Sequence, residues 1–273
     1  MKWGLACNFH LKKAVSLAKD IHDFLSEKNN EVFMEKNLAK EKNKNMKGYS
    51  LGEINEKADV VVTVGGDGTI LRTLEKVEKP VFAINSGGMG FLTEVESKYA
   101  MDGLQRVMDG DYNVEERAKL KVVVDDERLP DAANEVTVQT DRIAKIMYLK
   151  ILVENELVET YGADGVIVAT PTGSTSYALS AGGPILDPAV DAMVVTPIAA
   201  FKLSARPWVV PLEKKVGIRL LPKSKESKLV IDGGFAKTVT PENDIVITGS
   251  EKKARFIRFG ESFYQMVRLK LVR

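Results

Sequence analysis

Apolar positions in the first hundred residues fall into short runs separated by helical spacings. Trp3 to Cys7 reads as a strand. Ala14, Ala18, Ile21 and Leu25 then recur three or four apart and line one face of a helix. Glu31–Met34 is a candidate second strand. Residues 36–47 carry five lysines and three asparagines, a pattern that predicts a solvated flexible loop rather than a nucleic-acid patch. Asp59–Val64 (DVVVTV) is the β-branched run expected of a strand buried on both faces, and Val81–Ile84 repeats it after a helix. Strand, helix and strand in this order predict a doubly wound parallel sheet.

The texture changes after a helical stretch near Ser97–Met108. Strand patterns crowd together at Leu120–Val124, Glu135–Gln139, Lys150–Val153, Leu157–Thr160 and Val166–Ala169. They resume at Val216–Leu220, Lys228–Ile231, Lys237–Val239 and Ile245–Thr248. Asp125-Asp126, Asn155-Glu156 and Asp232-Gly233-Gly234 supply turn residues between them. The expected fold class is therefore α/β plus all-β. An N-terminal doubly wound domain spans 1–98, and a layered, sandwich-like β domain spans 99–255. Residues 256–273 are a candidate to return to the first domain.

Composition narrows the function classes. Lys plus Arg number 39 against 38 Asp plus Glu, so no global field recruits nucleic acid or an anionic membrane. A single cysteine, Cys7, excludes an internal disulfide, and His10 and His22 have no zinc-type spacing. No apolar run reaches the roughly 20 residues needed to cross a bilayer, and the N-terminus lacks a signal-peptide pattern. A cytoplasmic protein is expected.

The sharpest local signal is residues 61–74, VVTVGGDGTILRTL. A buried strand ends in Gly65-Gly66-Asp67-Gly68-Thr69 and a helix begins at once. Glycine lets backbone N–H groups approach a ligand, and the helix start adds unpaired donors and a positive dipole end, which together suit phosphate. An aspartate there repels phosphate, so it binds a cation, accepts a proton or caps the helix. The loop is neither G-x-G-x-x-G nor a Walker sequence. A second glycine loop, Asn85 to Thr93, follows the next strand, and two parallel strands bring both loops to one carboxyl edge. Residues 170–185, TPTGSTSYALSAGGPI, form a hydroxyl-rich turn before a helix, either a structural Ser/Thr turn or the wall of a pocket. Asn134-Glu135 opens a strand with an amide beside a carboxylate, a pair able to bind ribose hydroxyls or an exocyclic amine.

In order and spacing, GGDGT, NSGGMGFLT, Asn134-Glu135, DGVIVATPTGSTSYALSAGGPI, FKLSARPWVVP and the late Asp232-Gly233 resemble the NAD kinases across about residues 58–235. Lipid kinases and phosphofructokinases carry a loop like GGDG, but not the Thr/Ser/Gly run or the Asn-Glu pair. The resemblance implies transfer of a terminal phosphate, from ATP or polyphosphate, to the 2′-hydroxyl of the adenosine ribose of NAD. It implies Asp67 as proton acceptor, Gly65, Gly66, Gly68 and Thr69 as a phosphate loop beside the substrate, and Asn134, Glu135 and Asp164 in the nucleoside pockets. Thr175, Ser176, Tyr177, Ala178, Leu179 and Ser180 are implied to cover the dinucleotide, and Arg72 and Lys145 to be basic substrate contacts, with plain surface charge as the alternative. Mg²⁺ is the expected cofactor, its protein ligands unassigned, and a homodimer or homotetramer the expected assembly. Ser176, Lys202 and Gly234 depart from residues common in that family, which leaves the preference between NAD and NADH open.

Overall fold

The computed structural model describes residues 1–87, 90–142, 145–202, 204–224, 226–260 and 262–271. The chain divides into two compact units, Met1–Glu116 with Ala254–Arg273, and Arg117–Lys253.

The first unit is built on four parallel strands. They are β1 (Lys2–Cys7), β2 (Glu31–Met34), β3 (Val60–Gly65) and β4 (Val81–Asn85), in the spatial order β2-β1-β3-β4. Every residue of β3 is buried, as a strand covered on both faces requires. Helix α1 (Lys12–Glu27) turns Ala14, Ala18, Ile21 and Leu25 into a core shared with Trp3, Leu5, Val62 and Phe82. Helix α2 spans Lys36–Lys42, so the flexible loop expected over 36–47 is corrected in its first half. Lysine has good helix propensity, and two apolar residues suffice to anchor one short helix: Leu38 and Ala39 are fully buried in the same core. Helix α3 (Leu51–Lys57) starts on a capping box made by Ser50 and Glu53. Helix α4 (Asp67–Leu74) follows β3 directly. Helix α5 (Ala100–Met108) belongs to this unit as well, with Leu104 and Val107 in its core. Near the C-terminus Phe256 pairs parallel to Val81, and Ile257 joins the same core.

The second unit is antiparallel. One sheet has six strands, in the order Trp208–Pro211, Ala192–Ile198, Gly165–Ala169, Glu135–Thr140, Ser227–Ile231, Phe235–Val239. Another set runs Glu156–Ala163, Met147–Val153, Val216–Leu220 and the start of Ile245–Arg258. Val136, Val138, Val166 and Val168 from the six-stranded sheet share one apolar core with Leu149, Ile151, Val216 and Ile247. This is the layered β architecture expected from the crowded short strands. Tight turns close the hairpins where two successive residues take positive φ, at Asp125-Asp126 and at Glu154-Asn155, one residue earlier than the Asn155-Glu156 pair suggested.

Candidate active site

In the first unit, β1 and β3 are neighbours, yet the chain runs outward from them in opposite directions. That makes the gap between their carboxyl ends the topological switch point, where ligands of open α/β sheets bind. A cleft of about 410 Å³ opens there. It is lined by Cys7 to His10 after β1, Glu35 and Asn37 beyond β2, and Gly66, Gly68, Thr69 and Arg72 after β3. Because β3 and β4 pair in parallel, with Gly65 opposite Asn85, the second glycine loop leaves from the same edge.

Asp67 is the first residue of α4, and Gly66 is its N-cap without any side-chain cap bond. Neither Asp67 nor Thr69 serves as the cap, which removes the capping alternative for the aspartate. Its carboxylate instead accepts two backbone N–H groups of the second glycine loop, from Phe91 at 2.8 Å and Leu92 at 3.1 Å. Gly90 is demanded by this approach, since a Cβ there would lie 2.3 Å from Asp67 Oδ1. At Gly66 and Gly68 a Cβ would meet nothing within 4 Å, so no neighbour inside the protein requires glycine at either place. Gly88 and Met89 lie outside the described residues.

Arg72 lines the cleft, but its guanidinium is already engaged. It pairs with both oxygens of Glu35, donates to the Cys7 carbonyl at 3.1 Å and lies over the Phe9 ring. Burial, reinforced by Glu35, pushes the Cys7 thiol up to about 12, so it stays protonated and is no nucleophile. Glu35, His10 and Asn37 are cleft residues that the sequence pattern does not mark. Glu35 alone had a signal, its place just past a parallel strand.

In the second unit, Asn134 and Glu135 stand where the six-stranded sheet meets the hydroxyl-rich loop. Thr170 donates its N–H to the Asn134 carbonyl and its hydroxyl to the Ala133 carbonyl. Gly173 packs so closely on Asn134 that a Cβ would lie 2.2 Å from its carbonyl oxygen. Ser174 is spent inside the loop, on Pro171 and Leu186. Thr175 likewise donates to the Thr172 carbonyl. Thr170 and Ser174 build the loop from within, as a structural Ser/Thr turn does, and the Ser176 hydroxyl donates to Glu135 Oε1 at 3.4 Å. Tyr177 and Ser180 are exposed and Leu179 half-buried, while Ala178 is fully buried against Ile167, Ala169 and Val194. Two oxygens, Asn134 Oδ1 and Glu135 Oε2, are buried without a hydrogen-bond partner. Burial first, and the nearby Asp232 charge second, push the Glu135 carboxyl up to about 7 against the pull of Ser176.

Asp164 is not with them. Glu135 pairs with Ala169, whereas Asp164 precedes Gly165 at the other end of that strand, roughly 16 Å away at about 3.3 Å per residue. Lys145, exposed beyond Thr140, is at Asp164's end of the sheet. Lys202 pairs with Glu159 at 2.5 Å, and Gly234 faces open space. No group of three or more His, Cys, Asp or Glu gathers to hold a metal among the described residues.

A glycine loop at a sheet switch point in the first unit, and buried unpartnered polar oxygens in the second, are features expected of a nucleotide-binding phosphotransferase. Among solved structures, the fold matches yeast NADH kinase complexed with NADH at a TM-score of 0.89, with 23% identity over 100% of this chain and 87% of that one. It matches an NAD kinase from Archaeoglobus fulgidus in complex with ATP at 0.80, with 29% identity over 98% and 99%. The model of the ATP-NAD kinase N-terminal domain matches residues 3–112, and that of the C-terminal domain residues 133–259. Relatives include the NAD kinases of Methanothermobacter thermautotrophicus, 42% identical over 100% of this chain and 96% of that protein, and of Thermococcus kodakarensis, 39% identical over 99% of each. The chain belongs to the NAD kinase family.

Proposed function

We propose that this kinase moves the terminal phosphate of ATP to the 2′-hydroxyl of the adenosine ribose of NAD, with Asp67 accepting the hydroxyl proton. The observation that carries the reading is the setting of Asp67. Two amides fix its carboxylate at a helix start, between two glycines whose outer faces are open. A carboxylate has about four acceptor sites, so two amide bonds leave room for a proton or a cation. The amides of Gly66 and Gly68 and the α4 dipole suit the transferring phosphoryl oxygens, whose charge must be offset as the bond to the ribose oxygen forms. Arg72, released from Glu35, is a candidate to join them.

A divalent cation, Mg²⁺ by its preference for phosphate oxygens and water, fits a site with no protein cage. Asp67 is the side chain placed to touch it, and when bound it neutralises donor charge. On the second unit, Asn134 and Glu135 have the unfilled acceptors that a nucleoside's hydroxyl and amine donors complete. We place Asp164 and Lys145, at the opposite sheet end, against a neighbouring copy's ligand in a homo-oligomer, and the enzyme in the cytoplasm. Incubation with NAD, ATP and Mg²⁺, read with an NADP-specific dehydrogenase, tests the activity: NADP accumulates in proportion to enzyme. Binding of NAD without NADP formation identifies a dinucleotide sensor instead.

A further inference from the structure

Every backbone group of Ala133, Asn134 and Glu135 has a partner, and one side chain far along the sequence supplies half of them. The Asp232 carboxylate accepts the N–H of Ala133 at 2.7 Å, of Asn134 at 2.8 Å and of Glu135 at 2.9 Å. Its own N–H donates to the Glu135 carbonyl at 3.0 Å, and Thr170 satisfies the other two carbonyls. With the main chain used in this way, the buried side-chain oxygens Asn134 Oδ1 and Glu135 Oε2 are left without a partner among the described residues.

We propose that Asp232 is the positioning residue of the nucleoside pocket: it fixes the Ala133–Glu135 backbone and so aims the open oxygens of Asn134 and Glu135 at the dinucleotide. The proposal rests on the reading of those two residues given above. Three charge-assisted bonds from consecutive amides hold a segment more stiffly than sheet pairing does, and each is stronger than a neutral bond. The hairpin is shaped for it. Asp232 takes φ 47° and Gly233 φ 67°, and the Gly234 N–H closes the turn on the Ile231 carbonyl. An aspartate tolerates that left-handed conformation better than most residues. The second consequence is electrostatic. The groups facing Glu135 are Asp232 from the hairpin and Ser176 from the hydroxyl-rich loop, while Lys119, on the strand Asn113–Val124, partly offsets the Asp232 charge. Burial raises the Glu135 carboxyl first and the Asp232 charge adds to it, so Asp232 contributes to the pH at which Glu135 ionises.

Asp232→Asn tests this, because asparagine keeps the size and the left-handed preference but cannot accept from all three amides. KM for NAD should rise about ten-fold or more while KM for ATP stays within two-fold, as expected when buried acceptors lose their aim. KM for NAD should depend on pH through Glu135, and in Asp232→Asn that dependence should move to lower pH than in the wild type. Hydrogen exchange should quicken at residues 133–135 with the rest of the sheet unchanged. Asp232→Gly, which relieves the backbone and removes the carboxylate, should show the same KM split, so a poorly folding asparagine variant does not decide the matter. Glu135→Gln is the reference. If it raises KM for NAD and both Asp232 variants leave KM and its pH profile unaltered, Asp232 is only a turn residue and the proposal fails. If Glu135→Gln leaves KM for NAD unchanged, the nucleoside reading falls first and takes the proposal with it.

Discussion

The Asp67 carboxylate accepts the Phe91 and Leu92 amides, which fix its rotamer, and the proposed proton transfer would use its remaining acceptor capacity. Asp67→Asn should hold NAD within a few-fold of wild-type affinity and lose turnover by about 10²–10⁴-fold. A variant keeping half the wild-type kcat would end the proton-acceptor role. Glu135 makes a different prediction, for stability. Its carboxyl sits at about 7 against an ordinary 4.5, raised by burial and by Asp232. A group raised in the folded state binds its proton more tightly there than in the unfolded chain. Its contribution is full below pH 4.5 and is lost as pH climbs through about 7. Glu135→Gln should therefore stabilise the protein at pH 8, on the order of 3 kcal/mol, and change little at pH 4.5. Thermal melts at the two pH values check the sign. Asp67 stands in a local glycine-rich pattern that marks it as a candidate, whereas Asn134-Glu135 is marked only through the family resemblance, since a lone Asn-Glu dipeptide carries no pattern of its own. Asp232 was visible as an Asp-Gly turn and as part of the family motif, but its bonds to Ala133–Glu135 were not, since those partners lie 97–99 residues away.

At the scale of elements, the glycine loops are a pair. The second offers the Phe91 and Leu92 amides to Asp67 in the first and is held by Lys270 of the helix Phe263–Leu271 through the Gly90 carbonyl. Gly90→Ala forces a Cβ onto Asp67 Oδ1 and should cost about 10²-fold in kcat, the penalty of moving a reacting group by about 1 Å, with KM for NAD nearly unchanged. Parallel strands at Asp59–Val64 and Val81–Ile84 were readable because double-sided burial leaves continuous β-branched runs. Residues 36–42 were not, because a short helix anchored by two residues leaves almost no periodicity among three lysines in seven positions. The strand Ala192–Ile198 escaped for another reason. Pro197 argues against a central strand, and it is tolerated because the neighbouring strand pairs only with Ala192–Val195 and stops short of it.

For the whole molecule, the near balance of charge leaves anion capture to local sites. The six-stranded sheet ends on Trp208–Pro211, which pairs on one side and leaves Trp208 and Val209 about half exposed, and Phe201 is 85% exposed nearby in sequence. Edges of this kind are usually covered. A second copy covering them fits closed two-fold symmetry, and light scattering on a gel-filtration column should report at least twice the 30.1 kDa chain. Trp208→Arg should shift the mass toward the monomer and raise KM for NAD; a fully active wild-type monomer would remove both the interface and any shared site.

The central claim is that Asp67 drives phosphate onto the adenosine ribose. The direct measurement is transfer of label from γ-³²P-ATP to NAD in the presence of Mg²⁺, by the wild type and by Asp67→Asn, with the labelled position assigned by enzymatic cleavage of the dinucleotide. Label on the 2′-oxygen of the adenosine half, formed by the wild type and nearly absent with the variant, is the predicted result. Label elsewhere on the dinucleotide, or equal transfer by both proteins, would contradict it.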